Sequence, residues 1–249
     1  MNFKDHFSRL AAHYASFRPR YPPALFDYLE ECCPRRDCAW DCACGSGQAT
    51  LALAARFAAV IATDASAAQL ACAPPHANVR YRVAPAAASG LDATSIDLVT
   101  VAQALHWFDL APFYAEVRRV LRPQGVLAVW TYGVMNVAGE AVDRMLQEFY
   151  WKTLQPYWPP ERQQVESGYR SMPFAFAQIT PPNFTMQEQW SLPQLIGYIR
   201  SWSATACYVE RNGVDPAEAL EKSLHCIWGD PESLRTISWP LSLRIGRNS

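Results

Sequence analysis

The sequence predicts an α/β fold in which a mostly parallel sheet is covered by helices. Two observations carry that prediction. Short apolar strand patterns at 38–42, 59–63, 79–83, 96–102 and 126–132 alternate with helical segments. The stretch C-A-W-D-C-A-C-G-S-G-Q-A-T at 38–50 reads as a strand ending in Asp41, a turn through Gly45-Ser46-Gly47, and a helix from Gln48. A strand, a glycine turn and a helix start together present backbone N–H groups to a bound cofactor.

Taken in order, Phe3, Phe7, Leu10 and Tyr14 recur at helical spacing and predict an amphipathic helix over 3–16. F-R-P-R-Y-P-P at 17–23 breaks it, and Pro22-Pro23 opens a helix to about 33 with Leu25, Phe26 and Leu29 on one face. Strand 38–42, helix 48–58, strand 59–63 and helix 67–73 follow, the last with a capping box from Ser66 and Gln69. The strand at 96–102 is apolar except for Asp97 and Thr100, as suits burial on both faces. A helix over 110–121 turns Phe113, Val117, Val120 and Leu121 inward, and 122–125 is a turn before the fifth strand.

After Tyr132 the rhythm changes. A helix is expected over 138–155, then a proline- and aromatic-rich section to about 183, and a strand over 184–190. Ser191 starts one helix, Asp215-Pro216 with Glu218 starts another, and 237–245 is a last strand. The chain reads as one domain over 1–249. Residues 1–33 lie over the site as N-terminal helices, and 133–230 is an insertion packed over the ligand edge of the sheet. Periodicity leaves the sixth strand unplaced.

Composition narrows the function. Half the residues are hydrophobic and 12% aromatic, with a net charge of −1 and no long basic run, against nucleic-acid binding through the phosphate backbone. No window approaches a membrane span and the N-terminus carries no apolar leader, so a cytoplasmic protein is expected. The eight cysteines form no C-x-x-C pair, and the histidines add no ligand spacing, so free thiols and no metal are expected.

Asp64 ends the second strand 23 residues after Asp41, where an acid suits the two hydroxyls of a ribose. The dinucleotide fingerprint needs a third glycine where this chain has Thr50, so an adenosine-type ligand without a pyrophosphate fits better. With this in place, D-C-A-C-G-S-G at 41–47 resembles the first motif of the class I S-adenosylmethionine-dependent methyltransferases. Y-A-S-F-R-P-R-Y-P at 14–22, A-Q-A-L-H-W-F-D at 102–109, L-R-P-Q-G at 121–125, S-W-S-A at 201–204 and W-P-L-S-L-R-I-G-R at 239–247 resemble the trans-aconitate methyltransferase-like branch.

The resemblance implies a Rossmann-like, mostly parallel seven-stranded sheet with helices on both faces and an inserted helical, aromatic lid. It implies S-adenosyl-L-methionine as cofactor and S-adenosyl-L-homocysteine as product. Asp41, Cys44, Gly45, Ser46 and Gly47 would border the methionine end, Asp64 the ribose, Ala65, Ala86 and Ala87 the adenine, and Gln103 both cofactor and acceptor. Tyr14 and Arg18 would close over the site and orient the acceptor. Trp107, Trp130, Tyr132, Tyr198 and Trp202 are candidate walls of its pocket. Relatives place an acid where this chain has Ala87, a polar contact worth about 0.5–1.5 kcal/mol.

Methyl transfer by direct displacement needs alignment and exclusion of water, with no metal or covalent nucleophile. A small-molecule carboxylate is the leading acceptor, with Arg18 as its clamp. A hydroxyl or amine acceptor would need a base, for which His106 is the candidate. A non-catalytic cofactor-binding scaffold is the third reading.

Overall fold

Each strand of the parallel sheet is short, apolar and bounded by turn residues, and each is followed by a helix that covers one face. The computed structural model describes residues 19–248. The expected helix over 3–16, with Tyr14 and Arg18, lies outside those residues. The strands are β1 (Cys38–Cys42), β2 (Ala59–Asp64), β3 (Val79–Val83), β4 (Ile96–Ala102), β5 (Leu121–Tyr132), β6 (Asn136–Val137), β7 (Ala177–Ile179), β8 (Phe184–Trp190) and β9 (Arg235–Arg247). The order β3-β2-β1-β4-β5 is parallel throughout. β9 joins β5 antiparallel and also pairs with β6, β7 and β8.

The register explains how nine strands share one sheet. Arg247 pairs with both Val126 and Ala177, and Leu241 with both Tyr132 and Phe184. A strand has two hydrogen-bonding edges, so β5 and β6 run end to end along one edge of β9, and β7 and β8 along the other. The last strand expected over 237–245 is β9, which lies beside β5, and the strand expected over 184–190 is β8 on its other edge. The expected insertion over 133–230 contributes three strands to the sheet besides covering it.

Helices cover both faces. One core gathers Leu25, Phe26 and Leu29 with Trp130, Trp239 and the helices Leu192–Arg200 and Pro216–Trp228. The other gathers Phe113, Val117 and Val120 of the helix Leu110–Val120 with Val165 and Tyr169. Each fully buried residue of this size contributes about 1.5–3 kcal/mol. β4 is buried along six of its seven residues, as its composition anticipates.

Three local differences from the sequence reading have physical causes. Leu121 opens β5 rather than ending the preceding helix, and the expected turn at 122–125 is a bulged part of that strand. Gln124 takes a left-handed φ of 63° there. The helix expected to 155 is α-helical only over Glu140–Glu148 and continues as a π-helical turn, Phe149–Thr153. Helices Arg162–Glu166 and Ser203–Asn212 were not anticipated, because their apolar positions are too sparse to show a period.

Candidate active site

The chain steps from β1 to β2 and β3 on one side, then returns to β4 and β5 on the other. This reversal opens a crevice outside the carboxyl ends of β1 and β4, the place where open α/β sheets bind ligands. Backbone strain collects on both lips. Ala43, Gly45 and Gly47 after β1 have φ of 55°, 56° and 84°, and Gln103 after β4 has 57°. Left-handed backbone at non-glycine residues is costly and gathers at functional sites. Gly47 is doubly required, since a Cβ there would stand 2.9 Å from the Tyr81 hydroxyl.

Asp64 is buried to 9% exposure at the end of β2 and fixes the glycine turn. Its Oδ2 accepts from the Gly45 N–H at 2.9 Å and its Oδ1 from the Ser66 N–H at 2.8 Å. Ala65 and Ala87 are exposed, while Gly45, Ser46 and Ala86 are half-buried and Cys44 and Gly47 buried.

Asp41 is fully buried, opposite Thr100 in the β1–β4 register, and accepts from the Thr50 hydroxyl at 2.6 Å and the Thr100 hydroxyl at 2.9 Å. It braces the turn and the following helix against β4. Burial pushes its carboxyl up to about 6, against the two hydroxyls that draw it down, with the charge of Asp64 adding to the rise. The folded chain therefore holds this proton more tightly than the unfolded one. The resulting stabilisation is present below about pH 4 and lost as pH rises through 6. In urea unfolding at pH 4 to 7, wild type should lose on the order of 2–3 kcal/mol relative to Asp41→Asn. Parallel profiles would show that the carboxyl titrates normally.

Beside the crevice, on the β4 and β5 side, lies a cavity of about 110 Å³. Gln103, His106, Trp107, Tyr132, Tyr198 and Trp202, drawn from three separate stretches of chain, line it together with Trp158, Arg162 and Ser201. A second cavity of about 370 Å³ adjoins it and shares Trp158, Pro159 and Arg162 as a common wall. Trp130, expected among the walls, is fully buried in the core against Tyr21 and Phe26 and lies outside the lining. Trp130 and Tyr132 share one face of β5, but Trp130 lies deeper along the strand, whereas Tyr132 stands at the strand end and reaches the cavity.

Two residues outside the sequence expectations define the cavity's chemistry. Arg162 is the one charged side chain of the inner lining among the described residues. Its Nε donates to the Tyr150 hydroxyl at 2.7 Å, and its guanidinium lies 4.6 Å from the Trp158 ring centre. Glu166 stands 3.8 Å from that Nε and accepts from Tyr150 at 2.6 Å. The π-helical turn Phe149–Thr153 brings Tyr150 to this position. Neither Nη group of Arg162 has a hydrogen bond to a described residue, and the buried indole N–H of Trp158 is likewise without one.

Tyr169 is the second. It is fully buried, has a left-handed φ of 60°, and places its hydroxyl 2.9 Å from His106 Nδ1. Its backbone is held from β9, where Arg244 Nη1 donates to the carbonyls of Tyr169 at 2.7 Å and Met172 at 2.5 Å. His106 is pushed down to about 3 by burial and by the positive charge of Arg162, so its ring is neutral across the working range of an enzyme. His106 is the base expected for a hydroxyl or amine acceptor, and this environment weakens it for that role. A ring that binds a proton so weakly takes little from an alcohol or an amine. Gln103 is fixed from both ends, donating to the Tyr132 carbonyl at 3.2 Å and accepting from the Thr131 hydroxyl. The only earlier sign of Trp158, Arg162 and Tyr169 was the aromatic- and proline-rich composition of their segment, which names no residue.

A glycine turn with an acid at the next strand end, at the switch point of a parallel sheet and beside an aromatic cavity, is the arrangement of an α/β enzyme with a nucleoside cofactor. Residues 40–129 match the methyltransferase domain family. A Dictyostelium discoideum protein named as a methyltransferase is 35% identical over 225 residues, 89% of this chain and 86% of its own length. The Saccharomyces cerevisiae protein CRG1, named as an S-adenosylmethionine-dependent methyltransferase, is 33% identical over 131 residues, 49% of this chain and 45% of its own. A solved structure from Anaeromyxobacter dehalogenans, described as a type II methyltransferase, is 46% identical. It superposes with a TM-score of 0.88, covering 93% of this chain and 98% of its own. The chain belongs to the class I S-adenosylmethionine-dependent methyltransferases.

The rim fits that cofactor by its donor set, with an acidic acceptor at the end of β2, left-handed glycines after β1 and small residues at 65 and 87. Among the described residues no group of three His, Cys, Asp or Glu side chains converges as for a metal, and no helix is long and apolar enough to cross a membrane.

Proposed function

We propose that this enzyme methylates a carboxylate oxygen of a small molecule, in the manner of the trans-aconitate methyltransferase-like branch. The observation that carries the reading is the inner cavity, which has aromatic walls, one guanidinium and no lining carboxylate among the described residues. An anion gains there what a neutral acceptor does not, because Arg162 lies in a half-dry site where opposite charge is little screened.

S-adenosylmethionine supplies a sulfonium-borne methyl group, which a carboxylate oxygen takes by direct displacement with no proton transferred. Asp64 and the turn at 43–47 are the residues that would hold it. The protein's remaining work is to orient the acceptor and keep water out, which suits Trp107, Trp158, Tyr198 and Trp202. A neutral His106 is compatible with this chemistry, since an ionised carboxylate needs no base.

The branch assignment is supported by H-W-F-D at 106–109 and S-W-S at 201–203, both of which supply cavity residues. A panel of small mono-, di- and tricarboxylates, incubated with enzyme and labelled cofactor, tests the reading. The expected product is an ester that releases labelled methanol in alkali, formed at a rate that is flat between about pH 6 and 9. An alkali-stable product, with a rate that rises as an acceptor proton is lost, would point instead to a hydroxyl or amine.

A further inference from the structure

His106 meets Tyr169 through Nδ1 and lines the cavity, whereas Tyr169 is not part of the lining. A buried phenol needs an acceptor for its single proton, and Nδ1 lies within hydrogen-bond distance at 2.9 Å. The Tyr169 oxygen is also approached by the Thr131 hydroxyl and the backbone N–H groups of Leu105 and His106. These draw its pKa down while burial, the larger effect, pushes it up. The Thr131 proton goes to Gln103 Oε1, and a phenol proton given to Nδ1 makes that nitrogen the acceptor of the pair. In a neutral imidazole the ring proton is then on Nε2.

We infer that His106 Nε2–H and the Nη groups of Arg162, which have no hydrogen bond to a described residue, form a two-donor seat for the acceptor's carboxylate, with Tyr169 as the positioning residue that fixes the donor tautomer of His106. Both side chains line the 110 Å³ cavity. The seat is pre-organised. Arg162 is fixed by Tyr150 and Trp158, and Tyr169 is held in its left-handed conformation by Arg244. The unpartnered indole N–H of Trp158 belongs to the same wall. Donors on one carboxylate oxygen leave the other free to react, which orients the acceptor without removing its nucleophile. The 370 Å³ cavity beyond Arg162 then takes the remainder of the acceptor, so molecules that extend past the carboxylate by several atoms are favoured.

The seat uses the carboxylate reading above for the identity of its occupant, and its test separates the two. Nitrogen-15 spectra of histidine-labelled protein, with His106 assigned from His106→Gln, should show Nε2 protonated and Nδ1 as the lone-pair nitrogen. Benzoate should shift the Nε2–H signal. Arg162→Gln should weaken benzoate binding at least tenfold while Arg162→Lys keeps part of it. Benzamide, the neutral probe, should bind wild type and Arg162→Gln alike. Unchanged affinity for S-adenosylhomocysteine in each variant shows that the fold is intact. Tyr169→Phe should populate both tautomers of His106.

A proton on Nδ1 in the wild type, or benzoate binding indifferent to residue 162, would overturn the seat. Ester formation with Nδ1 protonated would sink this inference and leave the carboxylate reading standing. The expected tautomer and benzoate binding with an alkali-stable product would do the reverse.

Discussion

Asp64→Ala is expected to lower the affinity for S-adenosylhomocysteine at least tenfold in a calorimetric titration, and to cost stability as well. The two effects have one cause. Asp64 accepts the Gly45 and Ser66 N–H groups, so it sets the shape of the glycine turn and opens the helix Ala67–Ala71. Its removal leaves two backbone donors in a poorly hydrated site, at about 1–3 kcal/mol. It also removes an acidic acceptor of the rim, which for a diol ligand is worth a further charge-assisted hydrogen bond or two. Asp64→Asn sharpens the test, because an amide nitrogen turned toward either N–H repels it. An affinity within twofold of wild type in Asp64→Ala, in a protein that remains folded, would remove Asp64 from the cofactor site.

Asp97→Ala is expected to show the opposite profile, with a stability loss of about 3–5 kcal/mol in urea unfolding and little change in cofactor affinity. Asp97 lies 2% exposed near the start of β4. It accepts from the Asp37 N–H at 2.8 Å, the Cys38 N–H at 2.9 Å and Arg122 Nη1 at 2.6 Å. The carboxylate therefore fastens the entry of β1 and the bulged entry of β5 to β4. Without it, two N–H groups lose their acceptor, and Arg122 is left with the exposed Asp37. The crevice is at the other end of the same strands, some 20 Å away at about 3.3 Å per residue. A large loss of affinity with little loss of stability would show that the strand entries govern the crevice.

Those two aspartates illustrate how much could be read from the chain. Asp64 was legible because its role follows from local order, a strand, an acid at its end and a helix start, with a glycine turn one unit earlier. Asp97 stood out only as a charge in an apolar run, and its partners at 37, 38 and 122 are joined to it by pairing rather than by sequence. Asp41, which the resemblance places at the methionine end of the cofactor, owes its depth to Thr50 and Thr100 closing over it. Trp130 and Tyr132, two residues apart on β5, were both expected at the cavity, and only Tyr132 reaches it.

By itself the sequence determined the parallel half of the sheet, the glycine turn and the residues of the rim. Those features depend on hydrophobic period, turn chemistry and spacing, which are properties of short segments. The place of β9, the cavity wall from 158 to 169 and the pairing of Tyr169 with His106 were decided only by tertiary structure. A strand that joins a sheet from the far end of the chain, or a guanidinium held by an aromatic pair, is selected by which surfaces meet when the core closes. No local pattern encodes that meeting, so the glycine turn and its aspartate could be read from residues and the cavity wall had to be seen.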